Sequence, residues 1–169
     1  MSAQTLYFAY GSNLHPPQMR ARCPDCEPLQ PAVLEGYRLA FRGRSTRWGG
    51  GVATVLPAPG ARVHGLLYRL SPADVASLDD FEGYPTVYDH LRVTVTARNG
   101  SPQEALTYRK RSGEPLAPSL RYLHQMWRNY LAFGLEQGLL VQAVGEALDP
   151  GLEPGPEPAL APATTPARD

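Results

Sequence analysis

Leu6-Tyr7-Phe8-Ala9-Tyr10-Gly11-Ser12-Asn13-Leu14 is the stretch that decides how the chain is read. Apolar and aromatic residues as far as Tyr10 predict a buried strand over residues 5–10, and Gly-Ser-Asn then stops it. Gly11 allows a sharp turn and close approach of a ligand to the backbone. Successive N–H groups after such a turn can form an anion-binding nest. His15, Pro16 and Pro17 are placed to open a short helix over residues 15–22, its positive end toward the same spot. Gly-Ser-Asn is also ordinary turn chemistry, so on local pattern alone a tight turn with no ligand is the favoured reading.

Working outward, 169 residues with 43% apolar content predict one domain with a substantial core. Formal net charge is zero and no run of like charge appears, which argues against nucleic acid and anionic membrane as partners. No stretch is long and apolar enough to span a bilayer. The first residues run directly into the strand without a secretory leader, so a soluble, cytoplasmic protein is expected. Lys110 is the only lysine. Cys23 and Cys26 form a single C-x-x-C. A structural zinc site needs four ligands and no second pair exists, so no metal is expected, and a structural role for the pair is favoured over a redox one.

Further strands are expected over residues 33–42, 52–56 and 62–70, with a loop over 44–51 and Pro57 and Pro59 ending the second. Ser71-Pro72 predicts a helix start, with Asp74 completing a capping box. Val75, Leu78 and Phe81 supply its apolar face, and Gly83 ends it. Residues 91–96 alternate, Asn99-Gly100 signals a hairpin, and residues 104–110 form the return strand. The longest helix is expected from Pro118-Ser119 to about Glu136, with Leu120, Leu123, Met126, Trp127, Tyr130 and Leu131 as its packed stripe. Another helix is expected over 139–148. Residues 1–148 form the domain, and the proline-rich segment 149–169 is expected to be disordered. The hairpin forces antiparallel pairing while helices intervene elsewhere, giving an α+β fold with a curled mixed sheet.

The run Leu78-Asp79-Asp80-Phe81-Glu82-Gly83 places three carboxylates at a helix end that electrostatics reserves for cations. A solvated acidic end with a glycine cap explains this, and so does a functional carboxyl whose ionisation is disfavoured.

Taken together, the two sites resemble those of the γ-glutamylcyclotransferases. That family opens on a strand and a Tyr-Gly-Ser-Asn-Leu loop, matched by Tyr10, Gly11, Ser12, Asn13 and Leu14. Its catalytic glutamate lies in a Glu-Gly pair at a helix end, matched by Glu82-Gly83. Trp48-Gly49-Gly50-Gly51-Val52-Ala53-Thr54, Gly60, Val63-His64-Gly65, Tyr108 and Pro118-Ser119-Leu120-Arg121-Tyr122 continue the likeness in order over about residues 5–140. Asn129-Tyr130 and Gly134-Leu135-Glu136 depart from the family's usual residues, as do the cysteine pair and the proline-rich tail.

The resemblance implies a small mixed β-barrel with flanking helices. It implies conversion of a γ-glutamyl amino acid to 5-oxoproline and free amino acid, with Glu82 as general acid/base and no cofactor. Tyr10, Gly11, Ser12, Asn13, Leu14, Tyr108 and Tyr122 would bind the substrate, the loop through its backbone N–H groups. Arg42, Arg47 and Trp48 are weaker candidates for the leaving group, and Asp79 and Asp80 would only raise the local negative field. The partner implied is a small γ-glutamyl molecule, with the chain a monomer or homodimer. Alternatives are a cyclotransferase for γ-glutamylamines or a γ-glutamyl protecting group, and a non-catalytic γ-glutamyl-binding module.

Overall fold

The computed structural model describes residues 3–151. The expected disordered tail therefore lies almost wholly outside the described residues. Five strands, β1 (Thr5–Ala9), β2 (Glu27–Ser45), β3 (Gly50–Leu70), β4 (Tyr88–Ala97) and β5 (Pro102–Lys110), close into a barrel in the order β1-β3-β2-β4-β5. Neighbours pair antiparallel except at the closure, where β5 meets β1 in parallel at Tyr7 and Leu106. The barrel is thus mixed, as expected, and closure leaves no free sheet edge. Its interior is filled by side chains such as Phe8, Phe41, Leu67 and Val95, each at most 1% exposed. Burying each is worth about 1.5–3 kcal/mol.

The central hairpin differs from expectation. The three segments expected at 33–42, 52–56 and 62–70 belong to only two strands, of 19 and 21 residues. Pro57 and Pro59 do not end the strand. Glu35 pairs with Arg62 and Tyr37 with Pro57, so residues 58–61 bulge out opposite Gly36 alone. A proline at a bulge has no ladder N–H to supply, so the strand continues past it. The expected loop shrinks to a turn over residues 46–49.

Helix α1 (Pro16–Arg22) follows the first strand, after a single 3-10 turn over Ser12–Leu14. Cys23 ends it as the C-cap, and both cysteines are free thiols inside the core. Burial pushes the Cys23 thiol up to about 12, which makes it a poor nucleophile. Helix α2 (Pro72–Glu82) has the full capping box: Ser71 Oγ accepts from the Asp74 N–H, and Asp74 accepts from the Ser71 N–H. Phe81, expected in its apolar face, is half exposed and carries the Arg22 guanidinium 5.1 Å over its ring.

Helices α3 (Leu120–Phe133) and α4 (Gln137–Leu148) complete the chain. The buried face of α3 is Tyr122, Met126, Asn129 and Tyr130, while Leu120 is 84% exposed and Leu131 56%. Of the expected stripe, Met126 and Tyr130 are buried and Leu123 packs against the core, while Leu120 and Leu131 face outward and the buried face turns instead to include Tyr122 and Asn129. No helix among the described residues is long and apolar enough to cross a membrane.

The approach to α3 depends on a glycine. Gly51 N–H donates to Ala117 O at 2.9 Å, and a Cβ on Gly51 would stand 1.8 Å from Leu116 O. Gly51→Ala must displace the strap over residues 115–117, which leads into Ser119 and Tyr122. Overpacking of this kind costs about 2 kcal/mol or more. Thermal unfolding should show a clearly lowered Tm, and a Tm within about 1 °C of wild type would contradict this packing.

Candidate active site

A cavity of about 310 Å³, part of it open to solvent, lies where the first loop, the end of α2 and the N-terminal turn of α3 meet over one end of the barrel. Its phenol, amide and carboxyl lining suits a compact polar molecule. Its lining includes Tyr10, Gly11, Ser12, Asn13, Glu82, Tyr108 and Tyr122. Every principal site residue but one is therefore brought to one place, while the weaker candidates Arg42, Arg47 and Trp48 lie outside the lining. The exception is Leu14, whose side chain is fully buried in the core and whose N–H bonds to Gly11 O at 3.1 Å. Leu14 anchors the loop and offers nothing to the cavity.

Glu82 sits at the last position of α2 because Gly83, at φ 65°, turns the chain away in the left-handed region. Its side chain is 14% exposed. Burial raises its pKa above the ordinary carboxylate value, while Arg22 and the hydrogen bond from Asn13 pull it back in part. Asn13 Nδ2 donates to Glu82 Oε1 at 2.9 Å and to Tyr7 OH at 2.9 Å. Asn13 Oδ1 accepts from Arg22 Nη1 at 2.7 Å and Gln18 Nε2 at 3.3 Å. All four hydrogen-bonding positions of this buried amide are used, so its orientation is fixed. Arg22, only 7% exposed, also stands 3.8 Å from Glu82 Oε1. One oxygen of Glu82 is thus held by the loop, and Oε2 has no protein partner among the described residues.

Five tyrosine rings wall the cavity: Tyr7, Tyr10, Tyr88, Tyr108 and Tyr122. Burial raises the pKa of each, so all are neutral phenols near neutral pH. Tyr10 donates to Tyr108 O, and Tyr108 donates to Asp79 Oδ1 at 2.5 Å. Asp79 Oδ1 also meets His90 Nε2 at 2.6 Å. Asp79 therefore orients a wall of the cavity, a more specific part than the field effect expected of it.

Tyr122 OH accepts the Ala53 N–H at 3.2 Å and a backbone hydrogen bond from Ser12. With its acceptor positions taken, its proton is left for a ligand. The expected nest of bare backbone N–H groups is accordingly modified. Ser12 and Ala53 deliver their polarity through the Tyr122 hydroxyl, and Leu14 spends its N–H inside the turn. The expected helix end contributes little as well, since the first two residues of α1 are prolines without N–H groups.

Sequence reasoning missed Tyr7, Tyr88 and Arg22. Nine tyrosines against four phenylalanines was the available signal, since a buried phenol needs a polar partner. Arg22 reads only as a cation in the last turn of a helix. Among the described residues no group of three or more histidine, cysteine, aspartate or glutamate side chains is placed to hold a metal ion.

The sign of the Glu82 shift gives a stability prediction. Its folded pKa lies above the unfolded value of about 4.3. The folded state therefore holds this proton more tightly, and that contribution is lost as pH rises through the folded pKa. Glu82→Gln removes the penalty of an ionised buried carboxyl. The variant should melt above wild type near neutral pH, with the difference vanishing below pH of about 4. Calorimetry at both pH values checks it, and equal melting near neutrality would contradict the shift.

Residues 7–129 match the family described as gamma-glutamyl cyclotransferase, AIG2-like. A Mus musculus protein named gamma-glutamylcyclotransferase is 32% identical over 148 residues, covering 85% of this chain and 76% of that protein. The Bos taurus protein of the same name is 33% identical over 122 residues, covering 69% of this chain and 65% of its own length. A solved structure of a gamma-glutamyl cyclotransferase superposes with a TM-score of 0.76 at 26% identity, covering 92% of each chain. The matched span contains the loop, the held carboxyl and every tyrosine of the cavity, and the barrel beneath them is shared. The chain belongs to the gamma-glutamyl cyclotransferase, AIG2-like family.

Proposed function

We propose that this protein is a γ-glutamylcyclotransferase that releases 5-oxoproline from a γ-glutamyl amino acid, with Glu82 as the general acid/base. The observation that carries this reading is the half-held carboxyl of Glu82, fixed at one oxygen by Asn13 and open at the other toward a cavity of neutral phenols. The reaction is an intramolecular aminolysis. The α-amine of the γ-glutamyl group attacks its own γ-carbonyl carbon, a C–N bond forms, and the bond to the departing nitrogen breaks. Two protons pass from the attacking nitrogen to the departing one, with no net change.

A single carboxyl suits that transfer. Glu82 as carboxylate takes a proton from the attacking nitrogen and, as carboxylic acid, gives it to the departing nitrogen, and the second proton passes the same way in a second round. A raised pKa brings it nearer to working pH in both roles. The developing oxyanion needs a donor, and the free proton of Tyr122 OH supplies one beside the loop. Folding the substrate so that amine and carbonyl meet does much of the rest. Effective molarities of about 10⁵ M or more correspond to roughly 7 kcal/mol of barrier.

Such a substrate is small and soluble, which fits a neutral chain acting in the cytoplasm as a monomer or homodimer without nucleic acid or membrane. The test is direct detection of 5-oxoproline by NMR from a panel of γ-glutamyl compounds. Appearance of 5-oxoproline with stoichiometric free amino acid supports the reading. Ligand bound but never turned over would instead mark a binding module.

A further inference from the structure

We propose that Lys110, with Arg47 beside the same cavity, binds the carboxylate of the leaving amino acid and makes the enzyme select γ-glutamyl amino acids over γ-glutamyl amines. This inference rests on the cyclotransferase reading and names the chemistry of its leaving group.

Strand geometry places Lys110. It lies two residues beyond Tyr108 on β5, and alternate residues of a strand share a face. It also pairs directly across the ladder with Tyr88 on β4, as Tyr108 does with His90. Tyr88 and Tyr108 both line the cavity, so Lys110 stands on the same face of this hairpin, beside Tyr88 and just outside the lining. Its Nζ lies 5.1 Å from the Tyr88 ring centroid. Room for its stem comes from Gly43, where a Cβ would stand 2.5 Å from Lys110 Cε.

The charge there has no carboxylate in direct contact. Among the described residues Lys110 makes no ion pair, and neither does Arg47. Arg47 comes from the turn between β2 and β3 and lies 6.0 Å from the Trp48 ring, which itself packs 4.8 Å from the Tyr122 ring of the cavity wall. Both cations act on Glu82 without pairing with it, each lowering its pKa. Burial in turn lowers the pKa of Lys110, and Glu82 raises it back in part. The carboxylates nearby already have partners: Glu82 Oε1 is held by Asn13 and Arg22, leaving Oε2 toward the cavity, and Asp79 is held by Tyr108 and His90. An otherwise neutral chain therefore presents surplus positive charge beside the position of the reacting carboxyl. A γ-glutamyl amino acid carries one more carboxylate than a γ-glutamyl alkylamine, and that group matches the surplus.

γ-Glutamylalanine and γ-glutamylethylamide differ only in that carboxylate. Wild type should prefer the alanine compound in kcat/KM by at least about tenfold, the scale of one charge-assisted hydrogen bond. Lys110→Met, which keeps the packed stem, should collapse the ratio chiefly through KM, and Lys110→Arg should restore most of it. Calorimetric binding of both compounds to Glu82→Gln, with and without Lys110→Met, reads the same preference without turnover. Parallel loss for both substrates in Lys110→Met, or a wild-type ratio within about twofold, would overturn the inference while the cyclotransferase reading stands. Discriminating binding that Lys110→Met abolishes, with no turnover by wild type, would support the subsite and overturn the cyclotransferase reading.

Discussion

Glu82→Gln is expected to lower kcat/KM on a γ-glutamyl amino acid by at least roughly a hundredfold, with the fold intact. Glutamine keeps the shape and can still accept the hydrogen bond from Asn13 Nδ2, so the loop need not move. What it cannot do is take a proton from the substrate ammonium and return it to the departing nitrogen. The loss should fall on kcat more than on KM, because the interaction belongs to the transition state. Circular dichroism confirms folding, and steady-state kinetics with 5-oxoproline detection reads the loss. A folded variant with activity near wild type would remove Glu82 from the chemistry.

Arg22→Met should lower kcat/KM near neutral pH by roughly ten- to a hundredfold, although Arg22 does not line the cavity. Arg22 fixes the Asn13 amide through Oδ1, and that amide in turn holds Glu82 and Tyr7. Without it Asn13 Oδ1 keeps only the longer bond from Gln18, so the amide and the carboxyl it holds are less firmly oriented. The variant also has a readout that a merely structural residue would not move. Arg22 lowers the pKa of Glu82, so its removal raises that pKa further. A base is active when ionised, so the acid limb of the kcat/KM profile should shift to higher pH. Arg22→Lys should reverse part of the shift, since it keeps the charge, but less of the rate, since it lacks the planar fork. An unmoved acid limb in a folded Arg22→Met protein would refute the positioning role.

Both effects concern residues that differ in how legible they are from sequence. Glu82 stands out because an acidic residue before a glycine cap breaks a local rule, and a broken rule is visible in one dimension. The caps of α2 were equally readable, since Ser71, Asp74 and Gly83 act within a few residues of one another. Arg22 obeys its local rule, and its partners Asn13 and Glu82 meet it only in three dimensions. The long hairpin was hidden for a related reason. Pro57 and Pro59 read as strand stops, and only the pairing of β3 against Gly36 on β2 shows them beside a bulge. The stripe on α3 holds at Met126 and Tyr130 and fails at Leu120 and Leu131, which are apolar yet face outward, while Asn129 is buried. Periodicity locates a helix but does not choose between two adjacent faces when the cavity, a polar feature, takes part of one.

The most direct test of the central claim is a crystal structure of Glu82→Gln with γ-glutamylalanine bound. The α-amine should lie within about 3 Å of the residue 82 side chain, and the γ-carbonyl oxygen within about 3 Å of Tyr122 OH, beside the loop from Gly11 to Asn13. A ligand bound with its glutamyl group away from both, or with its α-amine out of reach of position 82, would contradict the account.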